Sequence, residues 1–291
     1  MKYAFGLALS VMLFCAVPCK AQTALYHSAK ELEKKGFFGS TTYVVLVGDT
    51  AFDNPVRKAV SDGWGITKNV VLVEPGQLPG DFSDPNNSFL SFSTVIGALG
   101  SNLVLWQGDK FWKGYDMAKN EPVFNPPVAR FTVLATYFPG PGSSNYWNRV
   151  GWRLPMVLHS FRQIITRARE TGLKVGLMPV LTSEIFEKEA VRLKQKTLLL
   201  ADDRFSADDV ELFKQNYPFP FEVVPFPTVF SAMATRDERY AIASVDIVQG
   251  LVELFVNDAA SYDLVFSNMA TMTNSLKASN VKALAKAVER K

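Results

Sequence analysis

The sequence predicts an α/β fold made of two similar halves, each a βαβ unit followed by antiparallel strands, forming mixed sheets with flanking helices. Three observations point there. Two short, continuous apolar runs, Thr42-Tyr43-Val44-Val45-Leu46-Val47-Gly48-Asp49 and Lys196-Thr197-Leu198-Leu199-Leu200-Ala201-Asp202-Asp203, both end in an acidic residue. Such runs are the pattern of strands buried on both faces. The same order of elements follows each run, and an amphipathic helix joins the two sets.

After the first run, Asn54 to Asp62 has helical composition with Pro55 suited to a first turn; after the second, Ala207 to Tyr217 has Ser206 as its N-cap. A second strand arrives at matching distance, Val70-Val71-Leu72-Val73 in one half and Phe221-Glu222-Val223-Val224 in the other. Ser88 to Ser93 alternates as a half-buried strand, and Tyr240 to Ser244 occupies the same slot. Leu103 to Trp106 then corresponds to Leu251 to Val256, which a turn at Asn257-Asp258 connects to a last strand, Tyr262 to Ser267. Between the halves, Leu154, Val157, Leu158, Phe161, Ile164, Ile165 and Ala168 repeat at helical spacing and Gly172 reads as the C-cap. Further helices are expected at Leu25 to Lys35, Ser183 to Lys194 and Asn274 to Arg290. The organisation expected is a signal peptide over 1–21, a first half over 22–150, connecting helices over 151–192 and a second half over 193–291.

The first 21 residues carry the three features of a cleavable signal in order: Lys2, an apolar run from Tyr3 to Val17, and Cys19-Lys20-Ala21 with small residues at −1 and −3. The run is shorter than the roughly 20 apolar residues that a spanning helix needs. Cys15 and Cys19 raise a lipid anchor as the rival, but Phe14 and Pro18 precede them where lipid processing favours a small residue. The expectation is therefore a soluble protein, periplasmic or extracellular. Cleavage removes both cysteines, and with them any disulfide, and leaves 29 basic against 28 acidic residues. That balance lacks the basic excess of a nucleic-acid binder. No later apolar run reaches spanning length.

The signal ending Lys20-Ala21-Gln22, a strand followed by an acidic helix, the aromatic-proline segment Asn216-Tyr217-Pro218-Phe219-Pro220 and the closing strand pair resemble a group of uncharacterised exported α/β proteins of Bacteroidetes-type bacteria. The resemblance lies mainly in the second half and implies no activity.

Catalytic patterns are weak. Asp202-Asp203 with Asp246 is similar to the acidic triad of phosphoacceptor domains, but no lysine ends a later strand, where Phe266-Ser267-Asn268 stands, and an exported chain meets no kinase. Asp49 and Asp53 are four apart, whereas an aspartyl phosphatase needs carboxylates two apart. The two histidines, His27 and His159, are too few for zinc without carboxylates. His159 reads as a surface residue beside Arg162 and Gln163. No Gly-x-Ser-x-Gly elbow exists, and Gly140-Pro141-Gly142-Ser143-Ser144 lacks the lysine of a phosphate loop. No cofactor or metal is expected.

Ligand binding has two candidate regions. Asp49, Asp202 and Asp203 stand at strand C-termini, where open α/β sheets bind ligands, although loop carboxylates are commonly just solvated. Four of the five tryptophans lie between Trp106 and Trp152, in a stretch punctuated by proline and glycine. There Tyr146, Trp147 and Trp152 could stack on a sugar ring or grip a peptide, with Asn145 and Arg149 as hydrogen-bonding neighbours. The competing reading is that these rings pack the junction between the halves. The function expected is non-catalytic binding of a small molecule, glycan, peptide or partner, with a cleft between the halves as the candidate place. A carboxylate-based hydrolase of glycans or peptides and a structural component of the envelope are the alternatives. A cleft lined by aromatics without a carboxylate pair favours binding; paired carboxylates favour the enzyme.

Overall fold

A computed structural model describes residues 23–25, 27–74, 77–78, 81–93, 100–108, 115–116, 121–122, 129–135, 153–172, 180–181, 189–248, 251–271 and 273–290. The leader over 1–21 and the aromatic candidates Asn145, Tyr146, Trp147, Arg149 and Trp152 lie outside the described residues.

The first half contains β1 (Thr23–Leu25), α1 (Ala29–Lys34), β2 (Thr41–Val45), α2 (Thr50–Ser61), β3 (Asn69–Val73), β4 (Asn87–Ser93), β5 (Gly100–Gln107) and β8 (Ala129–Ala135), with a small ribbon of β6 (Tyr115–Asp116) and β7 (Glu121–Pro122). Helix α3 (Leu154–Thr171) and β9 (Val180–Leu181) follow. The second half comprises β10 (Thr197–Ala201), α4 (Ala207–Asn216), β11 (Phe221–Val224), α5 (Phe226–Ala234), β12 (Tyr240–Val248), β13 (Leu251–Asp258), β14 (Leu264–Thr271) and α6 (Ala278–Glu289).

The fold is α/β with two mixed sheets. One has the order β3-β2-β4-β5-β8-β1-β9, the other β11-β10-β12-β13-β14. In the first, β2 pairs parallel with β3 and β4, then β4, β5 and β8 run antiparallel. In the second, β10 pairs parallel with β11 and β12, then β12, β13 and β14 run antiparallel. Five strands therefore match in order and direction, and each set ends in a helix, α3 or α6. The internal two-fold repeat is a repeat of topology.

Several boundaries differ from those read in the sequence, each for a local reason. Helix α2 begins at Thr50 because Asp49 caps it, accepting from Ala51 N at 2.8 Å, which leaves Pro55 inside the helix rather than in its first turn. Leu25 is in a strand, and α1 starts after the capping box of Ser28 and Glu31. The described part of the expected 183–194 helix is a 3-10 turn, Ala190–Gln195. The segment read as connecting, 151–192, supplies β9 to the first sheet. Helix α5 was not foreseen. Ser206 and Gly172 cap α4 and α3 as expected, the former through a capping box with Asp209.

Helix α3 is the central element. Its Leu158, Phe161, Ile164 and Ile165 join α2's Phe52, Val56 and Val60 over one face of the first sheet, through Val44, Leu90, Phe92, Leu103 and Leu105. Its other side meets the second sheet: Phe255 and Leu264 belong to the same core, and Met156 packs with Leu199, Ile242, Val229 and Met233. Polar contacts reinforce this junction. Arg153, 4% exposed, makes a bidentate pair with Asp246 at 3.0 and 3.1 Å, and Gln163 bonds both the N–H and the carbonyl of Leu264. The far face of the second sheet is covered by α4 and α6, through Phe213, Val281 and Leu284 against Leu198, Leu200 and Leu254. The layers thus alternate sheet, helices, sheet, helices.

Candidate functional site

A cleft of about 230 Å³ opens where the first half, α3 and the second half meet. Ala59, Asp62, Gly63 and Trp64 come from the end of α2 and its following turn. Pro155, Leu158, His159 and Arg162 come from α3; their spacing of three and four puts them on one stripe. Arg236 follows α5, and Ser261 and Tyr262 sit in the β13–β14 turn.

Each wall is held by identifiable chemistry. Trp64 is buried, and its Nε1 donates to Thr67 Oγ1 at 2.9 Å, while the Thr67 hydroxyl donates to the Asn69 carbonyl. Gly63 and Gly65 have φ of +129° and +59°. A Cβ at Gly63 would lie 3.1 Å from Arg162 Nη1, and one at Gly65 3.2 Å from Arg162 Cδ. Their missing side chains let the arginine lie across the turn, where Nη1 donates to the Gly63 carbonyl at 3.0 Å. The turn over 258–263 is organised by Asp258, a buried carboxylate that accepts from the N–H groups of Ala260 and Ser261 and pairs with Lys196 at 3.1 Å. Asn257 and Asp258 are the last residues of β13, so the expected turn falls just after them.

Arg236 and Tyr262 are, among the described residues, the two non-glycine residues with positive φ, at 53° and 64°. Both line the cleft. A non-glycine residue in the left-handed region costs of order 1–3 kcal/mol, and such strain concentrates at functional sites. Arg236 occupies the position after the α5 C-cap that helices usually give to glycine: its N–H bonds Met233 O, and the Asp237 N–H bonds Ala232 O. Its guanidinium lies 5.1 Å from the Tyr262 ring centroid and pairs with Asp62 at 3.2 Å. The Tyr262 hydroxyl donates to Met233 O at 3.0 Å.

His159 is not a surface residue without partners. Arg162 Nη2 approaches its Nδ1 at 3.3 Å, and since guanidinium only donates, Nδ1 is the acceptor and Nε2–H donates to Asp263 Oδ1 at 2.7 Å. Burial alone would raise the Asp263 pKa. Hydrogen bonds from His159, Arg192 and Ser261 outweigh it and hold this carboxylate below the usual range.

The carboxylates singled out in the sequence are placed elsewhere. Asp49 is the α2 cap, and Asp53 accepts the N–H groups of Val47 and Gly48. Asp202 and Asp203 are exposed in the turn after β10, and Asp203 lies 3.8 Å from Arg204. None of these lines the cleft, which lies toward the opposite, N-terminal ends of the parallel strands, near the starts of β3 and β12. Asp246 is the buried partner of Arg153 rather than part of an acidic triad. The sequence signal for the cleft was the stripe Pro155, Leu158, His159 and Arg162 together with the glycines flanking Trp64. Among the described residues no group of histidine, cysteine and acidic side chains is arranged to hold a metal ion, and no helix is long and apolar enough to cross a membrane.

No protein-family model matches the chain, and neither curated proteins nor solved structures give a match.

Proposed function

We propose that this is an exported, non-catalytic protein that binds a small ligand in the cleft between its two halves. The observation that carries the reading is the convergence there of both strained, non-glycine positive-φ residues, Arg236 and Tyr262, with a guanidinium seated on two glycines. The lining supports binding over carboxylate catalysis. It offers the aromatic rings of Trp64 and Tyr262, and the one carboxylate among its described lining residues, Asp62, is already paired with Lys58 and Arg236. Export rests on the leader-like first 21 residues.

Thermal-shift screening of the purified protein against monosaccharides, sugar acids, amino acids and short peptides tests the reading. A ligand at about a hundred times its dissociation constant adds about 2.7 kcal/mol to stability. Hits are expected with the wild type and not with Ala59→Trp, which fills the cleft. An empty screen, or hits indifferent to that substitution, would overturn the proposal.

A hydrolase is the second reading, favoured by the His159–Asp263 pair beside Ser261, since an acid-oriented histidine is half of a nucleophilic triad. Against it, Arg162 rather than a hydroxyl faces His159 Nδ1. Covalent labelling of Ser261 by a fluorophosphonate would turn the assignment to the enzyme.

A further inference from the structure

Resting on the reading of the cleft as a binding site, we infer that its ligand is a small organic oxyanion, a carboxylate or phosphate carried on a compact body with an apolar or ring face. The head group would be taken by Arg162 and Arg236, and the body by Trp64, Leu158 and Tyr262.

The charge balance of the cleft leads there. Asp62 is satisfied by Lys58 at 3.0 Å and Arg236 at 3.2 Å, and the Asp263 carboxylate behind His159 is matched by Arg192 at 2.9 Å. Arg162 has no carboxylate partner among the described residues; its contacts are the Gly63 carbonyl and His159 Nδ1. A partly buried guanidinium in a cleft wall without a counter-ion is a standing excess of positive charge with donor capacity left over, since it carries five N–H groups. Guanidinium forks match carboxylate and phosphate oxygens in geometry as well as charge.

Position argues in the same direction. Arg162 is held by its glycine seat and by its hydrogen bond to the Gly63 carbonyl. Pre-ordering of this kind reduces the entropy lost when a ligand is bound. Arg236 sits where glycine would relieve backbone strain, so the fold tolerates a less favourable residue at a position that aims a second guanidinium at the same space. Beside these two cations stand the indole of Trp64 and the Leu158 side chain, both 5% exposed, which give the remainder of the ligand an apolar surface. Tyr262 already stacks under the Arg236 guanidinium and adds an aromatic face.

Calorimetric titration of the purified protein with matched probes tests this. The pairs are glucuronate against methyl glucoside and phenylacetate against 2-phenylethanol, with glucose 6-phosphate and inorganic phosphate as the phosphate arm. At least one anionic probe is expected to bind about tenfold or more tightly than its neutral counterpart, as befits a charge-assisted contact. That advantage should shrink with added salt, vanish in Arg162→Gln, and be partly kept in Arg162→Lys; the carboxylate and phosphate arms identify the head group. Arg236→Gln, at an exposed position where folding is not at risk, should weaken the same probe to a smaller degree. Neutral and anionic members binding equally, or discrimination surviving in Arg162→Gln, would overturn the oxyanion assignment and leave the binding cleft standing. If no probe binds the wild type and the thermal-shift library is also silent, both readings fall; if the library yields neutral ligands blocked by Ala59→Trp, only the oxyanion assignment falls.

Discussion

The two halves share one strand order yet solve the covering of their sheets differently. In the second half both faces of the sheet lie under helices: α4 and α6 on one side, α3 and α5 on the other. In the first half α2 and α3 cover one face, while Phe89, Val104 and Trp106 on the opposite face pack with Leu78 and Phe82 from a connecting segment. Helix α3 stands in the first half where α6 stands in the second, but among the described residues only α3 has a sheet on each side. The lesson is that a repeat of topology need not be a repeat of environment. The cleft arises from the asymmetry, since it forms along a helix that both halves use.

The largest expected effect comes from breaking the polar contact between that helix and the second sheet. Asp246→Ala leaves the buried Arg153 guanidinium without its bidentate partner, and should cost about 3–5 kcal/mol in urea unfolding. Loss of much less would mean that the halves are joined mainly by apolar packing. Phe161→Ala and Phe213→Ala each remove a fully buried ring and should each cost about 3–5 kcal/mol. They sharpen the comparison further: because α3 belongs to both cores, Phe161→Ala should lower the transition of the whole molecule. Phe213→Ala should weaken the second half first, visible as separate transitions by tryptophan fluorescence and far-ultraviolet circular dichroism.

A pH effect separates the cleft from the rest. Asp263 is held below its unfolded value near 3.9 by His159 and Arg192. Its stabilising contribution is therefore complete above about pH 4 and is lost as the pH falls through the lower folded value. Asp263→Asn should flatten the acid side of the stability profile and leave neutral-to-alkaline behaviour unchanged in slope. A smaller effect tests the repeat itself. Asp49→Ala and Ser206→Ala remove the N-caps of the matching helices α2 and α4, and each should cost about 1 kcal/mol in thermal unfolding. Smallest of all, Arg236→Gly should leave stability unchanged or slightly raised, because about 1 kcal/mol of backbone strain is relieved while an exposed ion pair of similar worth is lost. A clear destabilisation would show that Arg236 is there for the fold.

The architecture was legible because its signals are local. Leu198-Leu199-Leu200 and Val44-Val45 can be little else than buried strands, Ser206 stands in a capping position, and Gly172 ends an unbroken apolar stripe. Helix α5 has no such local signal, because Phe226-Pro227-Thr228-Val229 carries its proline in the first turn and reads as a continuation of the aromatic-proline segment. The site was legible only in part. His159 and Arg162 were recognised as neighbours on a helix, but Asp263 lies 104 residues away in the chain, and that contact exists only through the packing of β14 against α3. Asp49, Asp202 and Asp203 stand at strand C-termini, whereas the cleft gathers turns at the other end of the strands. The position of the Tyr146–Trp152 rings in relation to the cleft belongs to the part of the chain outside the described residues.

The double-faced helix also sets an order of assembly. Helix α3 is complete at residue 171, whereas the strands that cover its second side arrive only between 197 and 271. Until then the first half carries an apolar flank and the Arg153 charge in water. Closing a span of about 100 residues, such as that from Gln163 to Leu264, is entropically expensive and slow compared with pairing neighbouring strands. The docking of the second sheet onto α3 is thus the natural late event of folding, and the cleft comes into being with that step rather than with either half.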